Sequence, residues 1–146
     1  MFDVIPTEAT VTAWARLMRA QRVALQAVET DLKAAGFPPL GWYDALLELR
    51  RAETGCLRPV ELEAQLLLAQ HNVSRLIDRL QAAGYVNREP CDTDGRGQMV
   101  VITDAGRDLL KRMWPVYRTA IQAHVGAKLA GDNEATILGA LLGKLF

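Results

Sequence analysis

The sequence has no excess of charge of either sign and no long apolar run. Its 146 residues contain 17 Lys and Arg against 17 Asp and Glu, so overall charge indicates neither a nucleic acid nor an anionic membrane as partner. The most apolar stretch, Ile137 to Gly143, is far shorter than the roughly 18 residues that a membrane span requires. We therefore expect no insertion into a membrane. Because half of the residues are hydrophobic, we expect one globular domain over 1–146.

Residues that build disulfides, metal sites and catalytic centres are scarce. Cys56 and Cys91 are far apart and form no CxxC motif, which predicts reduced thiols without a disulfide framework or a zinc site. The two histidines, His71 and His124, are too few for a metal site by themselves and are most simply structural or solvent-exposed. The HExxH, GxSxG, P-loop and dinucleotide-binding glycine motifs are also missing, so the sequence predicts neither an enzyme nor a cofactor.

The first residues give no sign of export. Residues 1–12 contain Asp3, Pro6 and Glu8 and lack the basic segment with which a secretory signal begins. We therefore expect a cytoplasmic protein.

Apolar spacing predicts long helices towards both ends of the chain. One helix is expected over 8–35, ended by Gly36, because mostly apolar side chains recur at two heptad positions. They are Val11, Met18, Leu25 and Leu32 at one, and Trp14, the polar Gln21 and Val28 at the other. This seam is available to a partner helix. A second long helix follows Thr103 as N-cap, with a kink or a restart at Pro115, and a closing helix begins around Asp132.

The segment between these helices predicts a helix-turn-helix. A helix over about 40–52 is followed by a short helix from Pro59 and by a further helix from Gln70 to Ala83. The last of these has apolar residues on one face, and Arg75 and Arg79 lie four residues apart on another. Two short helices joined tightly are typical of DNA-binding proteins, although helical hairpins without a nucleic-acid function show the same pattern.

A β-hairpin is predicted directly after the helix-turn-helix. Its strands are Tyr85 to Glu89 and Met99 to Ile102, joined by a long loop. Within the loop, Gly95 and Gly97 flank Arg96 and leave its guanidinium unhindered at the tip. An arginine at the tip of such a wing suits the narrow, electronegative minor groove of DNA.

Local charge argues against a strongly basic surface in this region. From Arg58 to Gln98 there are five basic and six acidic residues, a net charge of −1. Sequence-specific DNA binding then requires that the charges segregate, as the spacing of Arg75 and Arg79 allows. The alternative from another class of function is a winged-helix protein-interaction subunit without DNA binding.

Four short segments resemble the MarR family of bacterial transcription regulators. They are Asn72-Val73-Ser74-Arg75-Leu76-Ile77-Asp78-Arg79-Leu80, Gly84-Tyr85-Val86, Asp94-Gly95-Arg96-Gly97 and Val101-Ile102-Thr103-Asp104-Ala105-Gly106. The resemblance implies a mainly α-helical fold with a small two- to three-stranded β-wing. A winged helix-turn-helix would cover about 40–103, and dimerisation helices would cover about 8–35 and 104–146. The implied protein is a homodimeric regulator, most simply a repressor, that binds double-stranded DNA at an inverted repeat.

The resemblance also implies which residues contact DNA. They belong to the helix expected from Gln70 and to the wing, where Asp94 would orient Arg96; with Arg79 added from the helical spacing, the candidates are Gln70, His71, Asn72, Ser74, Arg75, Arg79, Asp94 and Arg96. Ala69 stands where many relatives have Ser or Pro, so the resemblance does not identify the N-cap of this helix.

Relatives in this family also suggest a small aromatic or phenolic effector, bound between the DNA-binding lobe and the dimerisation helices. The candidate ligand residues are aromatic or methionine side chains of the first, second and fifth helices, each of which could equally belong to the core: Trp14, Met18, Trp42, Tyr43, Met113, Trp114 and Tyr117.

Overall fold

A computed structural model of the protein describes residues 4–90 and 97–146. The described part is mostly helical and contains one small sheet, which confirms the expected fold class. Its elements are α1 (Glu8–Ala34), α2 (Leu40–Arg51), β1 (Cys56–Leu57), α3 (Pro59–Gln65), α4 (Val73–Ala82), β2 (Val86–Pro90), β3 (Gln98–Ile102), α5 (Asp104–His124) and α6 (Gly131–Leu142), with short 3-10 turns at Gly126–Lys128 and Gly143–Leu145. Of the helices in these ranges, none has the length and apolar character needed to cross a bilayer.

Contacts divide the chain into two units. The first unit is helical and contains the chain up to Asp31 together with Arg118–Phe146. Within it, His124 Nε2 lies 2.7 Å from Asp31 Oδ2, which agrees with the structural role expected for this histidine. The second unit, Leu32–Tyr117, contains the central helices and the sheet.

The sheet has three antiparallel strands in the order β1-β3-β2. Strands β2 and β3 pair from Val86 opposite Ile102 to Pro90 opposite Gln98, as in a hairpin, and β1 pairs with the other edge of β3. Alternate residues of β3 are buried, which is typical of a sheet with one face on a core. The resemblance implies a wing of two or three strands, and the described sheet has three.

The core of the second unit is formed by apolar residues of all its elements. Its largest completely buried side chains are Leu32, Leu46, Leu49, Leu62, Ile77, Leu80, Val86, Val100, Leu109, Leu110 and Met113. Helix α3 begins at Pro59, as expected, because a first-turn residue needs no amide hydrogen for helix bonding. The carboxylate of Glu61 accepts a hydrogen bond from the backbone N–H of Arg58 at 3.0 Å and closes this helix start.

Helix α4 begins three residues later than the sequence analysis predicts. Asn72 has an extended backbone, and its side-chain oxygen accepts a hydrogen bond from the backbone N–H of Arg75 at 3.0 Å. An asparagine with this geometry is an N-cap, so the helix starts at Val73. The predicted start at Gln70 is wrong, because residues 66–72 form an irregular connection to α3. Asn72 also supplies the cap that Ala69 does not provide.

A compact junction joins the end of α4 to the start of α5. Gly84 follows α4 with a φ of 85°, a left-handed conformation that ends a helix and favours glycine. Thr103 precedes α5, and its hydroxyl oxygen accepts a hydrogen bond from the backbone N–H of Gly106 at 3.1 Å, as expected for an N-cap. A Cβ atom on Gly106 would collide with the backbone oxygen of Tyr85, so only glycine fits there.

Helix α5 continues through Pro115 without a break. Of the two alternatives predicted at this residue, the restart is therefore wrong, and the kink stays a prediction. Proline removes the hydrogen bond to the carbonyl four residues earlier, at Lys111. Both Lys111 and Pro115 are exposed, so water can satisfy the carbonyl and the helix need not end.

Candidate nucleic-acid interface

Helix α4 has one buried face and one exposed polar face. Val73, Leu76, Ile77 and Leu80 are buried in the second unit, with exposed fractions of 7% or less. The residues on the opposite face are exposed: Ser74, Arg75, Asp78 and Arg79. Because apolar residues recur at helical spacing, burial fixes the rotation of α4 about its axis and directs these polar side chains to solvent.

The predicted DNA-contacting residues around α4 fall into three groups. Ser74, Arg75 and Arg79 lie on the exposed face, and His71 is exposed just before the helix. Asn72 is also exposed, but its side-chain oxygen is engaged in capping α4. Gln70 packs inward, since its Nε2 lies 2.6 Å from the position that a Cβ on Gly41 would occupy. The side chain of Gln70 therefore contacts the backbone of α2.

The connection between α3 and α4 is held by a buried carboxylate that the sequence analysis missed. Asp44 of α2 is 5% exposed. Its Oδ1 accepts a hydrogen bond from the backbone N–H of Leu67 at 3.0 Å, and its Oδ2 accepts one from the N–H of Leu68 at 2.7 Å. Hydrogen bonds to a charged acceptor are the stronger kind, so Asp44 fixes the turn that orients α4 relative to α3.

A second missed residue links the sheet to α4. The guanidinium of Arg88, in β2, lies 2.7 Å from Asp78 Oδ1 and donates a hydrogen bond to Gln81 Oε1 at 2.6 Å. Arg88 is only 22% exposed, whereas Asp78 is 61% exposed. The arginine therefore neutralises the one acidic side chain of the exposed face formed by Ser74, Arg75, Asp78 and Arg79, and it holds β2 against the helix.

The predicted wing contacts lie outside the described residues. This applies to Asp94 and Arg96, as well as to Cys91 and Gly95. The strands on either side are described, and Pro90 of β2 pairs with Gln98 of β3. The DNA contacts expected of Asp94 and Arg96 therefore stay sequence-based predictions.

Three of the predicted ligand residues form an aromatic cluster in the second unit. The ring of Tyr117 makes edge-to-face contacts with Tyr43, at a centroid distance of 5.0 Å, and with Trp114, at 5.8 Å. Tyr43 and Trp114 also line a cavity of about 490 Å³ together with Leu47, Arg50, Arg51, Leu110 and Lys111. Two aromatic rings and three cations thus face one cavity.

The other predicted ligand residues lie elsewhere. Met113 is completely buried in the core, and Trp42 packs edge-to-face on Tyr85 at a centroid distance of 6.0 Å. Trp14 and Met18 belong to α1 in the first unit, where they are 64% and 43% exposed.

Both tyrosines of the aromatic cluster have a raised pKa. Burial raises the pKa of Tyr43 above its ordinary value of 10.0, and the charge of Arg50 opposes part of that rise. Burial also raises the pKa of Tyr117, and the nearby Tyr43 and Asp44 act in the same direction. Since neutral pH lies below even the ordinary value of 10.0, both groups carry a phenolic hydrogen that can be donated in a hydrogen bond.

The elements of the second unit define a winged helix-turn-helix: α3 and α4 joined by the irregular connection 66–72, followed by the β2–β3 hairpin. A family model described as "MarR family" matches residues 35–97, which include these helices and β2. The chain is 30% identical over 108 residues to the uncharacterized HTH-type transcriptional regulator YkoM of Bacillus subtilis, an alignment that covers 74% of this chain and 68% of YkoM. The chain belongs to the MarR family of transcriptional regulators, whose members are not enzymes.

Two further comparisons describe the extent of the similarity. The chain is 32% identical over 71 residues to the HTH-type transcriptional regulator PrsX of Escherichia coli, and this match spans 49% of the chain and less than half, 43%, of PrsX. A MarR family transcriptional regulator from Streptomyces coelicolor, solved in complex with DNA, superposes with a TM-score of 0.83 at 25% identity and covers 97% of this chain and 91% of its own.

Proposed function

We propose that this chain is a cytoplasmic, homodimeric transcriptional regulator, a repressor, that binds an inverted-repeat operator in double-stranded DNA and responds to a small aromatic or phenolic acid. The observation that carries the proposal is the exposed face of α4, where Ser74, Arg75 and Arg79 are directed to solvent by burial of the opposite face. The second helix of a helix-turn-helix enters the major groove of DNA, and its first residues reach the base edges.

The unfavourable charge balance of the region does not contradict DNA binding. Among the described residues, Asp78 is the acid on the exposed face of α4, and Arg88 pairs with it at 2.7 Å. The pairing neutralises this acid within the face and leaves Arg75 and Arg79 available for phosphate or base contacts. Because few phosphates would be neutralised, we expect modest affinity for non-specific DNA. Arg96, with Asp94 two residues before it in the sequence, is the proposed minor-groove contact.

Selection of bound duplexes from a random DNA pool tests the proposal. The wild-type protein is expected to enrich an inverted repeat whose half-sites lie about one helical turn apart, and its affinity should fall steeply as salt rises. If no sequence is enriched and the protein instead forms a salt-insensitive complex with another protein, the interaction-subunit alternative is correct.

Dimerisation is proposed from the apolar surface of the first unit. Helix α6 has no buried residue among its twelve, although it carries Ile137, Leu138 and Leu141. Val11, Trp14 and Met18 of α1 are also exposed in this unit. Exposed apolar side chains in such number are costly to leave in water and mark an interface, which a second copy of the chain would cover.

The change Leu141→Glu tests this interface. Leu141 is 55% exposed in the single chain, so the charge would not disturb its fold, but burying a carboxylate in the interface would be unfavourable. We expect light scattering after size-exclusion chromatography to give the mass of two chains for the wild type and of one chain for the variant. Val60→Glu is the control, because Val60 is 69% exposed on α3 and outside this unit. Dimers of unchanged stability in Leu141→Glu would contradict the proposed interface.

An effector site is proposed at the cavity beside Tyr43 and Trp114. Its aromatic rings would contact a planar ligand, and Arg50, Arg51 and Lys111 would attract a carboxylate. The probe is 4-hydroxybenzoate, and calorimetry is expected to show binding to the wild type and about 10-fold weaker binding to Lys111→Ala, through loss of a charge-assisted hydrogen bond. Arg112→Ala, an exposed change in the same helix, is the control. Equal affinity in all three proteins would rule this cavity out as the binding site.

A further inference from the structure

The exposed face of α4 includes an acidic residue where a DNA-binding surface would be expected to avoid one. Asp78 is one helical turn beyond Ser74 and lies between Arg75 and Arg79 in the helical pattern. An acid facing a polyanion is unfavourable unless it is neutralised or makes a contact of its own. The geometry around Asp78 allows the acid to be neutralised by a cation and also to make a contact of its own.

Arg88 holds Asp78 in one position. The guanidinium contacts Asp78 Oδ1 at 2.7 Å and Gln81 Oε1 at 2.6 Å, so it is anchored to two residues of α4 that are three positions apart. The arginine is 22% exposed and the aspartate 61%. A carboxylate can accept about four hydrogen bonds, so one contact with Arg88 leaves accepting capacity on the side that faces solvent.

The chemistry of a fixed carboxylate in the major groove selects one base. A carboxylate has no hydrogen to donate, so it cannot satisfy the acceptor atoms of guanine or thymine. Cytosine presents an N4 amino donor in the major groove, whereas adenine presents its donor beside the N7 acceptor. Resting on the function proposed above, we propose that Asp78 is a specificity-determining residue that accepts a hydrogen bond from a cytosine in each half-site, with Arg88 as its positioning residue.

The test uses the operator selected by the wild-type protein. Each C·G pair of a half-site is replaced by T·A, with the symmetric change in the other half, and affinity is measured by fluorescence anisotropy. At one position the wild type is expected to lose about 10-fold in affinity, because the N4 donor becomes an O4 acceptor. Asp78→Ala is expected to bind the two operators within about two-fold. Alanine suits an exposed helix position, and circular dichroism checks that the variant is folded.

Two further variants separate base reading from general electrostatics. Asp108→Asn is the matched control, because Asp108 is 64% exposed and ion-paired with Arg112 at 2.9 Å on α5; it should keep the 10-fold preference. Arg88→Lys keeps the positive charge but lacks the planar fork that contacts Asp78 and Gln81 together. It is expected to reduce the preference for cytosine to about two- or three-fold while leaving affinity for random DNA unchanged.

The outcomes distinguish this inference from the proposed function. If the wild type enriches an operator, but Asp78→Ala retains every base preference or tightens binding to all sequences by the same factor, Asp78 reads no base and the inference is overturned. If the wild type enriches no sequence at all, the proposed function fails and the inference fails with it. A cytosine preference that is lost in Asp78→Ala and kept in Asp108→Asn supports the inference.

Discussion

Replacing Asp44 by alanine is expected to lower the free energy of unfolding by about 2–5 kcal/mol, which is a large part of the stability of a small domain. The variant leaves the backbone N–H groups of Leu67 and Leu68 without the carboxylate that accepts from them at 3.0 and 2.7 Å. Leu67 is 75% exposed, so water can replace part of this hydrogen bonding, whereas the carboxylate of Asp44 lies in a site that is only 5% exposed. Urea unfolding followed by circular dichroism measures the change.

Asp44→Asn separates the loss of charge from the loss of an acceptor. The amide keeps one oxygen for Leu67 or Leu68, but its NH₂ group must face the other donor, so we expect a smaller destabilisation of about 1–3 kcal/mol. Asp108→Asn removes an exposed carboxylate on α5 and should change stability by less than about 0.5 kcal/mol. If Asp44→Ala were as stable as this control, the turn would not depend on Asp44.

Replacing Arg75 by alanine is expected to weaken operator binding roughly 5- to 150-fold for each half-site, the range typical of an arginine that contacts a base bidentately. Arg75 is exposed on the first turn of α4, where major-groove contacts are made. Asn72 caps the helix through the backbone N–H of residue 75, so the substitution leaves the cap in place. Anisotropy titrations at several salt concentrations measure both the affinity and its salt slope.

Arg112→Ala is the control for the change in charge. Arg112 is 52% exposed on α5 and is not a proposed DNA contact, so its loss should alter operator affinity by no more than about two-fold. A base contact by Arg75 also predicts that Arg75→Ala relaxes specificity at one position, whereas a phosphate contact would weaken all sequences equally. Unchanged affinity in Arg75→Ala would contradict the assignment of α4 as the DNA-reading helix.

The helices were predictable because their signals are local. Apolar residues at helical spacing and the end signals Gly36, Pro59 and Thr103 depend on neighbours within a few residues. The start of α4 was misplaced by three residues although Asn72, a favoured N-cap residue, stood at the correct position. The continuation of α5 through Pro115 depends on solvent exposure, which spacing alone does not reveal.

The contacts that orient α4 were not predictable, because they join distant parts of the chain. Asp44 and the turn it holds are 23 and 24 residues apart, and Arg88 reaches α4 from another element. One signal was available: Asp44 is an acid within a run of residues that are otherwise buried, next to Tyr43, Ala45 and Leu46. Such an acid is expected to have hydrogen-bond donors inside the protein.

Predictions of ligand residues were limited by a different cause. Tyr43 lines the cavity, and Met113 fills the core. Both are large, mainly apolar side chains that recur at helical spacing. Residue type does not distinguish a cavity wall from a core position, since both are built from the same side chains. The cations of the cavity, Arg50, Arg51 and Lys111, become recognisable as a group only when α2 and α5 are seen side by side.

Thr103 joins the end of α4 to the start of α5 through hydrogen bonds, so the two helix ends form one rigid junction. Its hydroxyl donates a hydrogen bond to the carbonyl of Gly84 at 2.7 Å while accepting one from the N–H of Gly106 at 3.1 Å, and its own N–H bonds the carbonyl of Tyr85 at 3.1 Å. The backbone oxygen of Tyr85 lies so near Gly106 that no Cβ atom would fit between them, so the two helix ends pack closely. A rotation of the start of α5 would therefore also move α4, the helix proposed to read DNA. In the proposed dimer, a change at the start of α5 would therefore displace α4 although no side chain that touches DNA had changed.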